Sequence, residues 1–323
     1  MKKSNLINLF FICILLITLF SVLPAIAQEK VIRYGGQYYP EEFLLKGYDF
    51  FSEFGLQVEH TIFSSGTENN EALVSGNVDI NVGSDSKSVA LFNAIGSKAL
   101  IIGTVQRGDR YLTIIRKDSK YTDWSELKGK IVGTRFGTGA ELVLRKYFLT
   151  RPDLSWDDFK WVNINTEDMI ATLDNGQIEA FTAWAPTSEI AEAMGVGKSL
   201  ISYGNISLVP VCIHTTREFA DNNKDLIVRF LAAHLKKADM IKNNPSLAAE
   251  YANKAAKDMG INIDASAFEI MFKRINFQID FDESIIEELK DTAEFLKSGG
   301  QIKEIPEFFW DTSYIEEAKR LIK

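Results

Sequence analysis

From residue 31 onward, short apolar segments alternate with segments of helical period. Between Leu56 and Ile62, every second side chain points to one face and the polar side chains between them point to the other, which predicts a half-buried strand. Residues 41–54 instead carry apolar side chains at helical spacing up to Gly55, so we expect one helix that ends at this glycine. Strands and helices in regular alternation are typical of an α/β fold with mainly parallel sheets.

The same pattern extends to residue 215, and beyond it the apolar residues recur at helical spacing only. The predicted strands are 31–34, 56–62, 78–82, 100–105, 112–115, 130–134, 159–162, 180–183 and 209–215. The predicted C-terminal helices are 226–241, 245–259, 265–275, 283–296 and 315–321.

One stretch of the chain occurs twice. Residues 72–80 and residues 172–180 share the order helix, capping glycine, strand, with Gly76 and Gly176 at the same place. Each copy runs into a loop that starts another helix, so the repeat predicts two related lobes whose strand ends face each other. The alternative is that any two helix–strand junctions look alike over nine residues.

The first 27 residues predict export. Lys2 and Lys3 precede an apolar run from Leu6 to Leu23, and small residues follow it up to Ala27, where we expect cleavage by a signal peptidase. The competing interpretation is a retained membrane anchor, because the run is close to the roughly 20 residues that span a bilayer. Cys13 lies inside the run without the small residues of a lipoprotein signal, so no lipid anchor is expected.

Composition and charge exclude several classes of protein. The chain has 323 residues, 46% of them hydrophobic and 25% charged, which is typical of a globular protein of two domains. Its net charge is -8, and removing Lys2 and Lys3 gives -8 - 2 = -10, so nucleic acid is not an expected partner. After processing only Cys212 remains, and the three histidines are far apart, so we expect no disulfide, metal site or cofactor.

Three turns place glycine and hydroxyl residues between a strand and a helix. They are Ser64–Thr67, Gly83–Ser86 and Gly137–Ala140. The free N–H groups and aligned dipoles of a helix start attract anions, so converging turns of this kind predict an anion site. Taken singly, each turn is also what an ordinary helix N-cap looks like.

Aromatic and charged residues accompany these turns. Tyr38, Tyr39, Phe136 and Trp184 are candidates to wall an organic ligand, although core packing is an equal alternative for Trp184. Asp85 either caps its own helix or pairs with a ligand amine. The possible counter-charges for an anion are Arg107, Arg110 and Arg135, for which exposure to solvent is the default expectation.

Three segments resemble a known group of proteins. Residues 50–59 read FFSEFGLQVE, residues 72–79 read ALVSGNVD and residues 127–133 read LKGKIVG. In this order and spacing they are similar to the periplasmic substrate-binding proteins of ABC importers for sulfonates, nitrate, taurine and thiamine precursors, the NMT1-like group. The resemblance covers the whole mature chain and implies a bilobal, type II-like periplasmic-binding-protein fold, with two α/β lobes joined by two hinge strands and a helical C-terminal region.

The resemblance also implies boundaries and a site. Lobe 1 would comprise residues 28–117 and 210–323, and lobe 2 residues 118–209. The ligand-binding residues carried over by position are Gln37, Tyr38, Tyr39, Ser65, Thr67, Ser84, Asp85, Ser86, Gln106, Thr138, Gly139, Ala140 and Trp184.

The function implied is that of a non-enzymatic, monomeric periplasmic protein that passes a small solute to the permease subunits of an ABC importer with a cytoplasmic ATPase. Acidic Glu68 and Asp85 favour an amino-sulfonate or another zwitterion over an inorganic anion. A pyrimidine- or flavin-type ligand stacked on Tyr38 and Trp184 stays open, and so does a binding protein that serves a sensor. A pyrimidine-forming enzyme of related fold is disfavoured, because it would need a cysteine-rich active site and no export signal.

Overall fold

Two five-stranded mixed sheets, each flanked by helices, make up the computed structural model, which describes residues 30–323. The predicted signal peptide, with Lys2, Lys3 and Cys13, lies outside the described residues. The predicted pair of α/β lobes and the helical C-terminal region are confirmed.

The sheets have the same topology. The first has the order β2-β1-β3-β10-β4 and the second the order β7-β6-β8-β5-β9. In each, three parallel strands are followed by an antiparallel fourth strand, β10 or β5. The strands are β1 (Ile32–Gln37), β2 (Val58–Phe63), β3 (Ile80–Ser84), β4 (Ala99–Gln106), β5 (Tyr111–Arg116), β6 (Ile131–Thr134), β7 (Lys160–Asn163), β8 (Ala180–Trp184), β9 (Gly197–Ser202) and β10 (Val211–Thr216).

Helices pack on both faces of each sheet and dominate the chain after β10. They are α1 (Pro40–Gly47), α2 (Gly66–Val74), α3 (Asp85–Ile95), α4 (Gly139–Leu149), α5 (Thr166–Asp174), α6 (Thr187–Ala193), α7 (Arg217–Asn222), α8 (Lys224–Asn243), α9 (Pro245–Asp258), α10 (Ala265–Arg274), α11 (Glu283–Ser298) and α12 (Ser313–Leu321). The repeated segments form α2 with β3 and α5 with β8, at matching places in the two sheets.

Two short segments connect the sheets. Residues 107–110 lead from β4 to β5, and residues 203–210 lead from β9 to β10. Neither segment is itself a strand, and Asp109 and Val209 within them have positive φ angles of 49° and 36°, outside the extended region. By strand pairing the chain enters the second sheet at Tyr111, whereas the predicted start of lobe 2 is residue 118. The lobe boundaries themselves stay a prediction.

The single helix predicted over residues 41–54 is wrong. Helix α1 ends at Gly47, and a separate 3₁₀ turn covers Ser52–Phe54. Tyr48 has extended dihedral angles, and an added Cβ at Gly47 would lie 2.2 Å from the carbonyl oxygen of Tyr251. Helix α1 therefore ends where Gly47 packs closely against α9. The predicted stop at Gly55 holds, since its φ of 63° suits only glycine well.

Candidate ligand-binding site

The first half of the site comes from neighbouring strands that end at the same edge of the first sheet. Strands β1 and β3 are parallel and adjacent, so Gln37 and Ser84, their last residues, lie close together. Gln37 Nε2 donates to the Val82 carbonyl at 2.8 Å, which joins the two strand ends. Ser65 caps α2 by accepting the Glu68 N–H at 3.2 Å.

Asn69 fixes this edge from behind. Its side chain is fully buried, and its Nδ2 donates to the carbonyls of Gly35 and Val82, both at 3.0 Å. Because an added Cβ at Gly35 would lie 2.0 Å from Asn69 Oδ1, glycine at this place is what lets the amide approach the strand.

The second half comes from the matching edge of the second sheet. Strand β8 ends at Trp184, and the chain after the parallel strand β6 leads to the start of α4. Thr138 caps α4 by accepting the Ala140 N–H at 3.3 Å, while Glu141 accepts the Gly137 N–H at 2.8 Å. The predicted helix start at residue 138 is therefore confirmed, with the acid bonded to Gly137 and not to the capping residue.

A cavity of about 250 Å³ lies between the two edges. Residues of both sheets line it. They are Gln37, Tyr38, Tyr39, Ser64, Ser65, Gly66, Ser84, Ser86, Lys87, Arg110, Tyr111, Thr138, Gly139 and Trp184. All three turns selected from the sequence thus reach one cavity.

Four of the predicted site residues are not in the lining. Thr67 accepts a hydrogen bond from Lys87 Nζ at 3.1 Å, and Ala140 is fully buried in the core of the second lobe. Gln106 is buried, with its Nε2 3.0 Å from Glu41 Oε1. Asp85 is buried at the start of α3, where Thr292 Oγ1 donates to it at 2.9 Å; burial raises the pKa of its carboxyl. Ser84 is the N-cap of helix α3 without a side-chain capping bond, and Asp85 is the first residue of the helix.

Two of the three arginines expected in solvent are buried. Arg107 lies 3.4 Å from Asp282 and donates to the Asp280 carbonyl, contacts with residues distant in sequence that remove it from solvent. Arg110 is only 2% exposed and lines the cavity. Arg135 is exposed, as expected.

Sequence analysis missed Lys87 and Tyr111, which also line the cavity. Lys87 directly follows the turn Gly83–Ser86, so one more residue of the turn would have included it. Tyr111 begins β5 beside Trp184, and nothing in its local pattern distinguishes it from a core strand residue.

The described residues include neither a cluster of metal-ligating side chains nor a helix suited to span a membrane. Within residues 30–323, no group of three or more histidine, cysteine, aspartate or glutamate side chains is placed to hold a metal ion. No helix in this part of the chain has both the length and the apolar character needed to cross a bilayer.

Solved structures with the same architecture define the class of fold. The periplasmic aliphatic sulphonate binding protein SsuA of Escherichia coli superposes with a TM-score of 0.75 at 17% identity, covering 88% of this chain and 92% of that one. The desulfurization enzyme DSZB superposes with a TM-score of 0.66 at 13% identity, covering 91% and 100%. The chain therefore has the fold of the periplasmic binding proteins, a fold that also occurs in an enzyme.

The sequence assigns the family. Residues 37–256 match the model of the NMT1-like family, so the chain belongs to the NMT1-like family, as the resemblance implied. The binding protein YtlA of Bacillus subtilis is 25% identical over 288 residues, covering 84% of each chain. A protein of Brachyspira hyodysenteriae named as an ABC transporter periplasmic binding protein is 26% identical over 282 residues, covering 83% of this chain and 78% of that one.

Proposed function

We propose that this protein is the extracytoplasmic solute-binding component of an ABC-type importer, and that it captures a small organic anion or zwitterion between its lobes. The observation that carries the proposal is the cavity lined by strand ends and helix starts of both sheets. Ligands of open α/β sheets bind at such carboxyl ends. The names of two relatives, a binding protein and an ABC transporter periplasmic binding protein, support the same role.

The lining suits a negatively charged group attached to a compact organic body. Hydroxyls of Ser65 and Ser86 offer donors, and Lys87 and Arg110 supply positive charge. Trp184 offers an aromatic wall for the organic part. These groups favour a sulfonate- or taurine-like solute, and the structural neighbour SsuA is named as an aliphatic sulphonate binding protein.

The size of the cavity favours a small solute over a flavin. Sites for drug-sized ligands measure about 300–1,000 Å³, and this cavity measures about 250 Å³. Tyr38 and Trp184 both line it, so a single pyrimidine ring stacked on them is the alternative ligand.

Closure of the lobes would follow from the shared lining. A solute that contacts both sheets gains its full set of contacts only when the lobes are together, so it shifts an open–closed equilibrium towards the closed form. The closed form would then be recognised by the permease subunits, which work with a cytoplasmic ATPase. A sensor that recognises the same form is the alternative partner.

The one cysteine of the described residues supports binding and not catalysis. Cys212 is fully buried in β10, and burial raises the pKa of its thiol to about 12. It therefore stays protonated at neutral pH, whereas a nucleophilic cysteine acts as the thiolate. We infer a monomeric protein released into the periplasm after cleavage near Ala27.

A cavity-filling substitution tests the proposed function. Ser86 and Ser284 are each the second residue of a helix, but only Ser86 lines the cavity, and Ser284 is exposed. A thermal-shift screen of the purified protein against sulfonates, amino acids, nitrate and pyrimidines should find a solute that stabilises the wild type. At a hundred times its dissociation constant, such a solute adds about 2.7 kcal/mol.

Ser86→Trp should lose this stabilisation and Ser284→Trp should keep it. Equal stabilisation of both variants would place the solute elsewhere and contradict the proposal.

A further inference from the structure

Arg110 is a buried cation without a charged partner. It is 2% exposed and lines the cavity between the lobes. Within residues 30–323 no carboxylate oxygen lies within 4.0 Å of its nitrogens, and its Nε has no hydrogen-bond partner. A buried charge is costly unless it is paired, so this position calls for a negative group from outside the chain.

Aromatic rings of both lobes hold the guanidinium in place. Its central carbon lies 5.3 Å from the ring centre of Tyr39, which follows β1, and 5.2 Å from that of Tyr111, which begins β5. Burial alone would lower the pKa of Arg110, but Tyr111, Tyr39, Asp85 and Glu41 outweigh it and raise the pKa. The side chain therefore stays charged.

Arg110 also joins the two segments that connect the lobes. It lies in residues 107–110, and its Nη1 donates to the Val209 carbonyl, in residues 203–210, at 3.2 Å. Val209 is β-branched with a φ of 36°, and Asp109, next to Arg110, has a φ of 49°. A positive φ is uncommon for residues other than glycine and strained for a β-branched one, and strained residues cluster at ligand clamps and switch regions.

We propose that Arg110 is the specificity-determining residue of the cavity: it binds the negative charge of the solute and couples that charge to closure of the lobes. This inference rests on the proposed function, since it needs a solute between the lobes. An anion on the guanidinium would contact, through one side chain, the cavity, the aromatic rings of both lobes and the carbonyl of the second connecting segment. A neutral solute of the same shape would fill the cavity without neutralising Arg110.

Matched pairs of an anion and its neutral amide test whether the cavity selects for negative charge. We would measure binding of ethanesulfonate against ethanesulfonamide, and of propionate against propionamide, by titration calorimetry. The wild type should bind at least one of the anions at least about tenfold more tightly than its amide, the range expected for hydrogen bonds to a charged group.

Arg110→Gln should abolish this preference, and Arg110→Lys should keep part of it. The control is Arg135→Gln, which removes an exposed arginine outside the lining and should leave the preference unchanged. Should Arg110→Gln fail to fold, Arg110→Lys and the wild-type preference still decide the question.

The outcomes separate this inference from the proposed function. If the wild type binds the amides as tightly as the anions, or if it binds only a neutral solute from the screen, Arg110 does not select charge, although solute binding itself stands. If no solute binds at all, the proposed function fails first.

Coupling to closure has its own readout. With the wild type saturated by the preferred anion, the radius of gyration should fall, and Arg110→Gln saturated with the same anion should fall less. Equal compaction of the two proteins would overturn the coupling.

Discussion

Asn69 and Met169 occupy the same position in the matching helices α2 and α5, and their difference changes the chemistry of the two lobes. Asn69 is buried and bonds to strand carbonyls beside the cavity, whereas Met169 is buried in the apolar core of the second lobe. The first lobe therefore fixes its strand ends with a helix side chain, whereas in the second lobe the Thr134 hydroxyl, at the end of β6, donates to the Thr182 carbonyl of β8 at 3.2 Å. The two matching backbones therefore carry different side chains at the sheet edges that border the cavity.

Glu189 gives the molecule a defined dependence of stability on pH. It is fully buried in α6, 3.4 Å from Arg274, and burial raises its pKa from 4.5 to about 7, an effect that Arg274 only partly offsets. Between these two pH values the folded state keeps a proton that the unfolded state releases. The contribution of Glu189 to stability is therefore complete below pH 4.5 and is lost as the pH rises to 7.

Glu189→Gln removes this titration. The free energy of unfolding of the wild type, relative to the variant, should fall by up to about 3 kcal/mol between pH 4.5 and pH 8. Urea unfolding of both proteins at the two pH values measures the difference. A difference that is the same at both would show that Glu189 does not keep its proton in the folded state.

The site residues that follow strand ends were predictable, and those placed by tertiary contacts were not. Ser65, Ser84 and Thr138 stand at strand–helix junctions, which glycine and hydroxyl residues mark in the sequence. Arg110 lies in residues 107–110, which are three charged residues and a glycine, a composition typical of an exposed turn. Its burial arises only because Tyr39 and Val209, about 70 and 100 residues away in sequence, close over it.

At the scale of elements, the long apolar strands and helices were predicted, and two short elements were missed. Strand β9 reads Gly-Lys-Ser-Leu-Ile-Ser, with too few apolar residues to alternate, and is a strand because it pairs with β5. Helix α7 has only six residues. Strand β4 lies at the edge of its sheet and is nevertheless buried, because residues near Ile279 and Phe309 bond to it. Local pattern cannot reveal such long-range pairing.

Helix α11 connects the first lobe to the second through Glu288. This buried carboxylate accepts Lys146 Nζ of α4 at 2.7 Å, the Leu208 N–H at 3.2 Å and the Ser207 hydroxyl. It thereby joins a helix of each lobe to the second connecting segment.

Removing Glu288 should be costly because the half-buried Lys146 and the Ser207 hydroxyl would both lose this acceptor. Glu288→Ala should lower the free energy of unfolding by about 2–4 kcal/mol. Asp291→Ala is the matched control, since Asp291 meets the same lysine at 3.3 Å but is 59% exposed, and it should cost less than about 1 kcal/mol. Denaturant unfolding measures both, and equal effects would contradict the role given to Glu288.

On the scale of the whole molecule, each sheet receives its antiparallel strand directly after a connecting segment. Strand β5 follows residues 107–110, and β10 follows residues 203–210. A rotation of one lobe against the other would have to be absorbed by these two short segments, the first of which contains Arg110 while the second accepts its hydrogen bond at Val209. The repeat read from the sequence predicted the related lobes, but the angle between them and the volume of the cavity depend on packing that no local pattern encodes.

Solution X-ray scattering with and without the solute selected by the stability screen tests the central claim most directly. If the solute is captured between the lobes, the radius of gyration of the wild type should fall on saturation, and that of Ser86→Trp should not respond. An unchanged radius of gyration for the wild type at a saturating concentration of a solute that demonstrably binds would contradict capture by lobe closure.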